Sequence, residues 1–317
     1  MAAPSPPPPL AFKTQGYNGY AVEYSPFFEN RLACASGANF GIVGNGRLWL
    51  LNVSPGGIQP ERTYDTQDGL FDCAWSENHE NQIVTSSGDG SIKLWDATLP
   101  DFPIRNWAEH TREVFSVNWN LVQKDIFVSG SWDMTIKLWN PEIQQSLRTW
   151  QEHTNCIYVT TWSPTDTNIF ASASGDNTIK LWDTRHPTSI QTIPAHTSEV
   201  LALDWNKYQP GVLVSGSVDN TIKVWDIRYP SRERNWLRGH EYAVRRVKCS
   251  PHRGDVVVSA SYDMTMRIWD LERGVPVFVH DGHTEFVLGC DLSMFFDGQV
   301  ASCAWDESVH VVSLPPM

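Results

Sequence analysis

Five times along the chain a histidine, a serine and an aspartate recur at one spacing: His110, Ser129 and Asp133; His153, Ser172 and Asp176; His196, Ser215 and Asp219; His240, Ser259 and Asp263; His283, Ser302 and Asp306. These are the residue types of an acyl-transfer triad, in which a carboxylate orients the imidazole that takes a hydroxyl proton. The repetition argues for other chemistry, because a hydrolase gains nothing from five copies of one triad. In four of the five sets a tryptophan follows at a fixed offset: Trp139, Trp182, Trp225 and Trp269. With Ser donating to His, His to Asp, and the indole N–H to the same hydroxyl, every buried polar group finds a partner. The sets are therefore expected to be structural networks, and no catalytic residue is assigned. The chain also lacks a phosphate loop, an H-E-x-x-H helix and a G-x-S-x-G elbow. Neither an enzyme activity nor a cofactor is expected.

What positions such sets is a repeat. Aligned on D-x5-W, the chain gives Asp89/Trp95, Asp133/Trp139, Asp176/Trp182, Asp219/Trp225 and Asp263/Trp269, flanked by Asn45/Leu51 and Asp306/Val312. The step is 43 or 44 residues throughout, the period of a four-stranded propeller blade. Within one unit, EVFSVNW (113–119), IFVSGS (126–131), TIKLW (135–139) and SLRTW (146–150) are short runs rich in β-branched and aromatic residues, separated by Gly, Asp, Asn and Pro. The predicted fold is all-β, a seven-bladed ring. After the seventh repeat no fourth strand remains, so LAFKTQ (10–15) is expected to pair into the last blade and close the ring. Residues 1–9, with four consecutive prolines, are predicted to be an extended, disordered segment, and 10–317 one propeller domain.

Bulk properties narrow the function. A net charge of −12 argues against nucleic-acid binding, which needs clustered Lys and Arg. The six cysteines are scattered singly, without C-x-x-C or zinc spacing, so no metal site is expected. No apolar run is long enough to span a bilayer, and the N-terminus lacks the pattern of a signal peptide, so a soluble, intracellular chain with no membrane insertion is expected.

The His-Ser-Asp-Trp pattern at this period resembles the WD40 repeat family over essentially residues 16–314. More specifically, GYAVEYSPFFENRLA (19–33), NFGIVGNG (39–46), TQDGLFDCAWSENHENQ (66–82), SASYDMTMRIW (259–269) and HTEFV (283–287) resemble the family of peroxisomal type 2 targeting-signal receptors, the peroxin-7 family. That resemblance implies a cytoplasmic receptor cycling to the peroxisome, its cargo being matrix enzymes that carry an N-terminal Arg/Lys-Leu-x5-His/Gln-Leu signal. It further implies an import co-receptor and a peroxisomal docking machinery as partners.

The irregular repeats then matter most. Repeat two carries Thr66 and Thr85 where the others have His and Ser, and Asp68 stands beside the gap. The loop and first-strand columns at the top rim hold Tyr20, Phe71, Glu113 and Phe115, Tyr158, Glu199, Arg245 and Phe286, and the residue before each turn aspartate adds Gly88, Trp132, Tyr262 and Trp305. An amphipathic helix needs an apolar surface for one side and a carboxylate for its cation. Asp68 and Glu113, with Glu199 as a further acid, are the expected partners of the signal's basic residue. Tyr20, Phe115, Trp132, Tyr158, Tyr262 and Trp305 are the expected apolar contacts. A competing reading comes from WDTR (182–185) and WDIR (225–228), which resemble the WDxR signature of substrate receptors in cullin-type ubiquitin ligases.

Overall fold

A computed structural model describes residues 7–314. It contains seven four-stranded antiparallel sheets, each of sequential strands except the last, and one short 3-10 turn. Blade 1 spans residues 18–66, blade 2 70–107, blade 3 114–150, blade 4 157–194, blade 5 200–237 and blade 6 244–280. Blade 7 takes three strands from 287–313 and its outermost from Leu10–Lys13, which pairs antiparallel with Ser308–Ser313. The ring is thus a seven-bladed propeller closed by the N-terminal strand, as the missing fourth strand of the seventh repeat required. The expectation of a disordered proline segment falls largely on residues 1–6, outside the described residues.

Packing explains the strand sequences. Each sheet lies between two neighbours, so the inner strands are covered on both faces and read as near-continuous apolar runs, as in Val200–Trp205 and Val256–Ser261. Outer strands such as Arg148–Trp150 are short and bury mainly their last residue. Between blades, inner-strand carboxylates and amides accept a backbone N–H from the next blade: Glu23 from Trp75, Asp72 from Val117, Asn118 from Trp162, Asp204 from Cys249 and Asp291 from Tyr24.

One local feature positions the upper face. In every blade the first strand carries a register shift that skips a single residue: Tyr20, Phe71, Phe115, Tyr158, Leu201, Arg245 and Leu288 in blades 1 to 7. A bulge leaves its extra residue out of the ladder and re-aims the side chain. Seven bulges therefore turn one residue per blade towards the mouth of the ring.

Candidate ligand-binding face

The five polar sets form the same buried chain five times. In blade 3, His110 Nδ1 lies 2.8 Å from Asp133 and Nε2 2.8 Å from Ser129 Oγ, which also accepts the Trp139 indole N–H at 2.8 Å. His153, Ser172, Asp176 and Trp182 repeat this within 2.7–2.8 Å. His196, Ser215, Asp219 and Trp225 do so within 2.7–3.0 Å, and His240, Ser259, Asp263 and Trp269 at 2.7 Å each. In blade 7, His283 joins Ser302 and Asp306 at 2.9 Å each, without a tryptophan. Burial raises the Asp133 carboxyl's pKa, but the hydrogen bond and charge of His110 outweigh it and hold the group well below the carboxylate range. Ser129, Ser172, Ser215, Ser259 and Ser302 are each 0% exposed, and the first four also accept an indole N–H, so the hydroxyl that a triad would use as its nucleophile is shut away inside each blade.

Where blades 6 and 7 meet there is a second arrangement of imidazoles. His310 stacks face to face on His283 at 4.0 Å, and its Nδ1 lies 2.9 Å from His280 Nε2. Ligand nitrogens of the three lie within 4.8 Å of one another. Stacked rings send their lone pairs outward along parallel planes rather than towards one centre, and His283 already serves Asp306 and Ser302. The cluster is a hydrogen-bonded stack. Burial and the neighbouring histidines push the His310 pKa down to about 3.

Around the mouth the bulge residues and the turn residues meet in one aromatic arc. Tyr158 packs edge-on against Phe115 and Trp132, whose rings lie 4.6 Å apart and parallel within 3°. Phe115 stacks on Phe71 at 4.4 Å, Phe71 meets Tyr20, and Tyr20 meets Trp305. Trp305 continues to Phe286, and Phe286 to Tyr262. The six aromatic residues expected from the sequence thus share one surface. Tyr20 differs from the expectation in depth: it is 4% exposed, and its hydroxyl donates to the Phe40 carbonyl, so it supports the surface from beneath.

Several residues of this face were left out of the expected contacts. Phe71 and Phe286 link the expected rings, and the rim columns already contained both. Phe40 packs on Trp305 at 5.2 Å with a left-handed backbone (φ 56°), and beside it Ile42 and Val43 are 80% and 71% exposed. This lip comes from the NFGIVGNG insertion, which stands where other repeats have their aspartate turn. Arg245, 3% exposed, places its guanidinium 5.6 Å from the Phe115 ring.

The acids divide into two groups. Asp68 sits at the mouth of blade 2, its carboxylate accepting the Gly69 N–H at 2.7 Å. Gly88 makes room for it: a Cβ there would come within 2.9 Å of Asp68 Oδ1, where blades 3 and 7 have tryptophan. Partial burial pushes the Asp68 pKa up, and the charges of Asp89 and Glu113 add to that shift, while the Gly69 N–H and Lys93 oppose it. Asp68, Asp89 and Glu113 form one negative corner between blades 2 and 3, partly offset by Lys93, 3.4 Å from Asp89, and Arg112, 3.5 Å from Glu113. Glu199 stands apart, held by the Tyr158 hydroxyl at 2.9 Å.

In both WDxR runs the arginine turns back on its own aspartate, Arg185 to Asp183 and Arg228 to Asp226, at 2.6 Å. Local pairing accounts for the motif.

Comparisons with known proteins agree with the ring and identify its branch. Residues 58–96 and 102–140 match the model of the WD domain, G-beta repeat, and 143–269 match the EIPR1 beta-propeller model. A peroxisomal targeting signal 2 receptor from Dictyostelium discoideum is 63% identical over 287 residues, covering 89% of this chain and 91% of the relative. The chain belongs to the peroxisomal targeting signal 2 receptor family. Within that family, peroxisome biogenesis protein 7 of Arabidopsis thaliana is 60% identical over 93% of this chain and 95% of its own length. The mouse receptor is 48% identical over 94% and 95%.

Proposed function

We propose that this chain is a cytoplasmic receptor that binds the type 2 peroxisomal targeting signal, Arg/Lys-Leu-x5-His/Gln-Leu, of matrix enzymes on the aromatic mouth of the ring. Relatives across most of its length carry the name of such a receptor. The observation that supports the reading best is the aromatic arc running up to the negative corner of Asp68, Asp89 and Glu113. In a helical signal the two leucines are seven residues apart, two turns on one face, and the basic residue is beside the first. Such a helix lays its leucines on Phe115, Trp132 and Trp305 and its cation against Asp68 and Glu113. Partial burial penalises the ionised form of Asp68, and an arriving cation lowers that penalty, so binding weakens as pH drops through that group's titration.

Ordering a short segment costs free energy for every residue fixed, and the mouth is an open surface. A co-receptor that covers the bound signal offsets that cost and hands the cargo to the docking machinery at the peroxisome. The chemistry required is recognition alone.

Titration of a fluorescent Arg-Leu-x5-His-Leu peptide, with and without cell extract as the source of a co-receptor, tests the reading. Saturable binding that extract strengthens and salt weakens is expected. Absence of binding in both conditions refutes it.

A further inference from the structure

The outer side of blade 5 differs in charge from the rest of the molecule. Residues 228–238 read RYPSRERNWLR and hold four of the chain's 24 basic residues and one of its 36 acidic ones. The corresponding outer loops of blades 2 and 3 carry Asp101 and Glu142 instead, that of blade 6 has Glu272 next to Arg273, and that of blade 4 has the single arginine Arg185. Arg232, Arg234 and Arg238 are exposed, and among the described residues none of the three forms an ion pair. Arg234 donates to Gln209 Oε1, and Arg228 is the one neutralised by Asp226. On the outer strand Asn235–Leu237, Trp236 is 44% exposed with the Arg238 guanidinium 3.7 Å above its ring. Tyr229, 68% exposed, borders the same patch, and Arg234 lines a crevice that runs on towards blade 6.

Arg238 over the exposed indole, with Arg232 and Arg234 on the adjoining crevice beside Tyr229, forms a local exception in a protein of net charge −12, whose overall field disfavours anions. We propose that this face is a docking surface for an acidic peptide segment of a partner protein, with carboxylates on Arg232, Arg234 and Arg238 and an apolar side chain on Trp236. Arginine forks pair bidentately with carboxylates, which gives the strip direction as well as charge. Asp226 and Glu233 line one crevice with Arg232 and Arg234, and Asp255 and Glu272 line the next with Arg234, so the arginines alternate with acids and suit a segment with spaced carboxylates better than the continuous anionic plane of a membrane. The face lies on the ring's outer side, away from the mouth, and the proposal stands independently of signal binding.

The test uses the full chain and a fluorescein-labelled dodecapeptide of Asp and Glu with leucine at every fourth position. A lysine counterpart and vesicles of phosphatidylcholine with phosphatidylserine are run beside it. The acidic peptide is expected to bind saturably, about tenfold or more weakly after Arg232→Glu, Arg234→Glu and Arg238→Glu together, and severalfold more weakly after Trp236→Ala. The variants should keep the wild-type circular dichroism spectrum and thermal midpoint. Arg232→Gln, Arg234→Gln and Arg238→Gln together, which remove charge without reversing it, should give an intermediate loss. Absence of saturable binding, equal binding by the triple reversal, or binding to vesicles alone overturns the proposal.

Discussion

Blades 2 and 3 are neighbours with the same four-stranded pairing, yet they handle a turn aspartate in opposite ways. In blade 3, Asp133 is drawn inward by His110 and its side chain is 7% exposed. In blade 2 the histidine is replaced by Thr66, whose hydroxyl bonds the Asp68 carbonyl, and Asp89 turns to Ser91 and Lys93 with its side chain 38% exposed. The next residue back follows suit: Trp132 stacks on Phe115 in blade 3, while Gly88 clears space for the Asp68 carboxylate in blade 2. Blade 3 uses its polar residues to hold itself together and shows an apolar face. Blade 2 releases its acids to the surface beside that face.

The largest effect is expected from breaking the blade 3 chain. His110→Ala leaves Asp133 and Ser129 buried without their partner and should cost about 3 kcal/mol in urea unfolding, whereas Thr66→Ala in blade 2 removes a single bond and should cost about 1 kcal/mol. Equal losses would erase the distinction between the two blades.

Next comes a change in blade 2 towards blade 3. Gly88→Trp places a ring where the Asp68 carboxylate now stands. It should weaken signal-peptide binding about tenfold, with little change in stability, as read by titration and thermal melting together.

A pH series sharpens the comparison through the buried imidazoles. His310 has its pKa depressed to about 3, and those of His196, His240 and His280 are lowered by burial. The unfolded chain therefore binds more protons than the folded one below the ordinary histidine value of about 6.5. Stability should be fully present above that value and decline as pH falls from about 6.5 towards 3. The turn aspartates, whose pKa values their histidines depress, add a further loss in the acid range below about 3.9. His310→Gln should flatten the upper part of the thermal-midpoint profile, and an unchanged slope would remove the imidazole stack from the account.

The smallest effect is expected from Thr66→His with Thr85→Ser, which restores the blade 3 pattern. A gain of about 1 kcal/mol in stability, with a modest loss of signal binding as Asp89 is drawn inward, is the expected result.

Fold and closure were legible because the 43- or 44-residue period and the missing fourth strand leave one arrangement in which every sheet is covered. The polar sets were legible because His, Ser, Asp and Trp keep their offsets wherever they form the chain. The mouth was only partly so. Column position brought Phe115, Trp132, Tyr158, Tyr262 and Trp305 together, but the bulge that turns each first-strand residue upward has no sequence signature. Phe40, Ile42 and Val43 escaped because an insertion breaks the repeat register that placed the others. The depth of Tyr20 depends on Phe40 covering it, which no column shows.

The central claim is that the negative corner beside the aromatic arc receives the signal's basic residue. A double-mutant cycle tests it directly, pairing Asp68→Lys in the receptor with Arg→Glu in the peptide. Each single change should weaken binding by about tenfold or more, and the two together should recover most of the loss. Additive losses, with no recovery in the doubly exchanged pair, would contradict the claim and place the cation elsewhere on the ring.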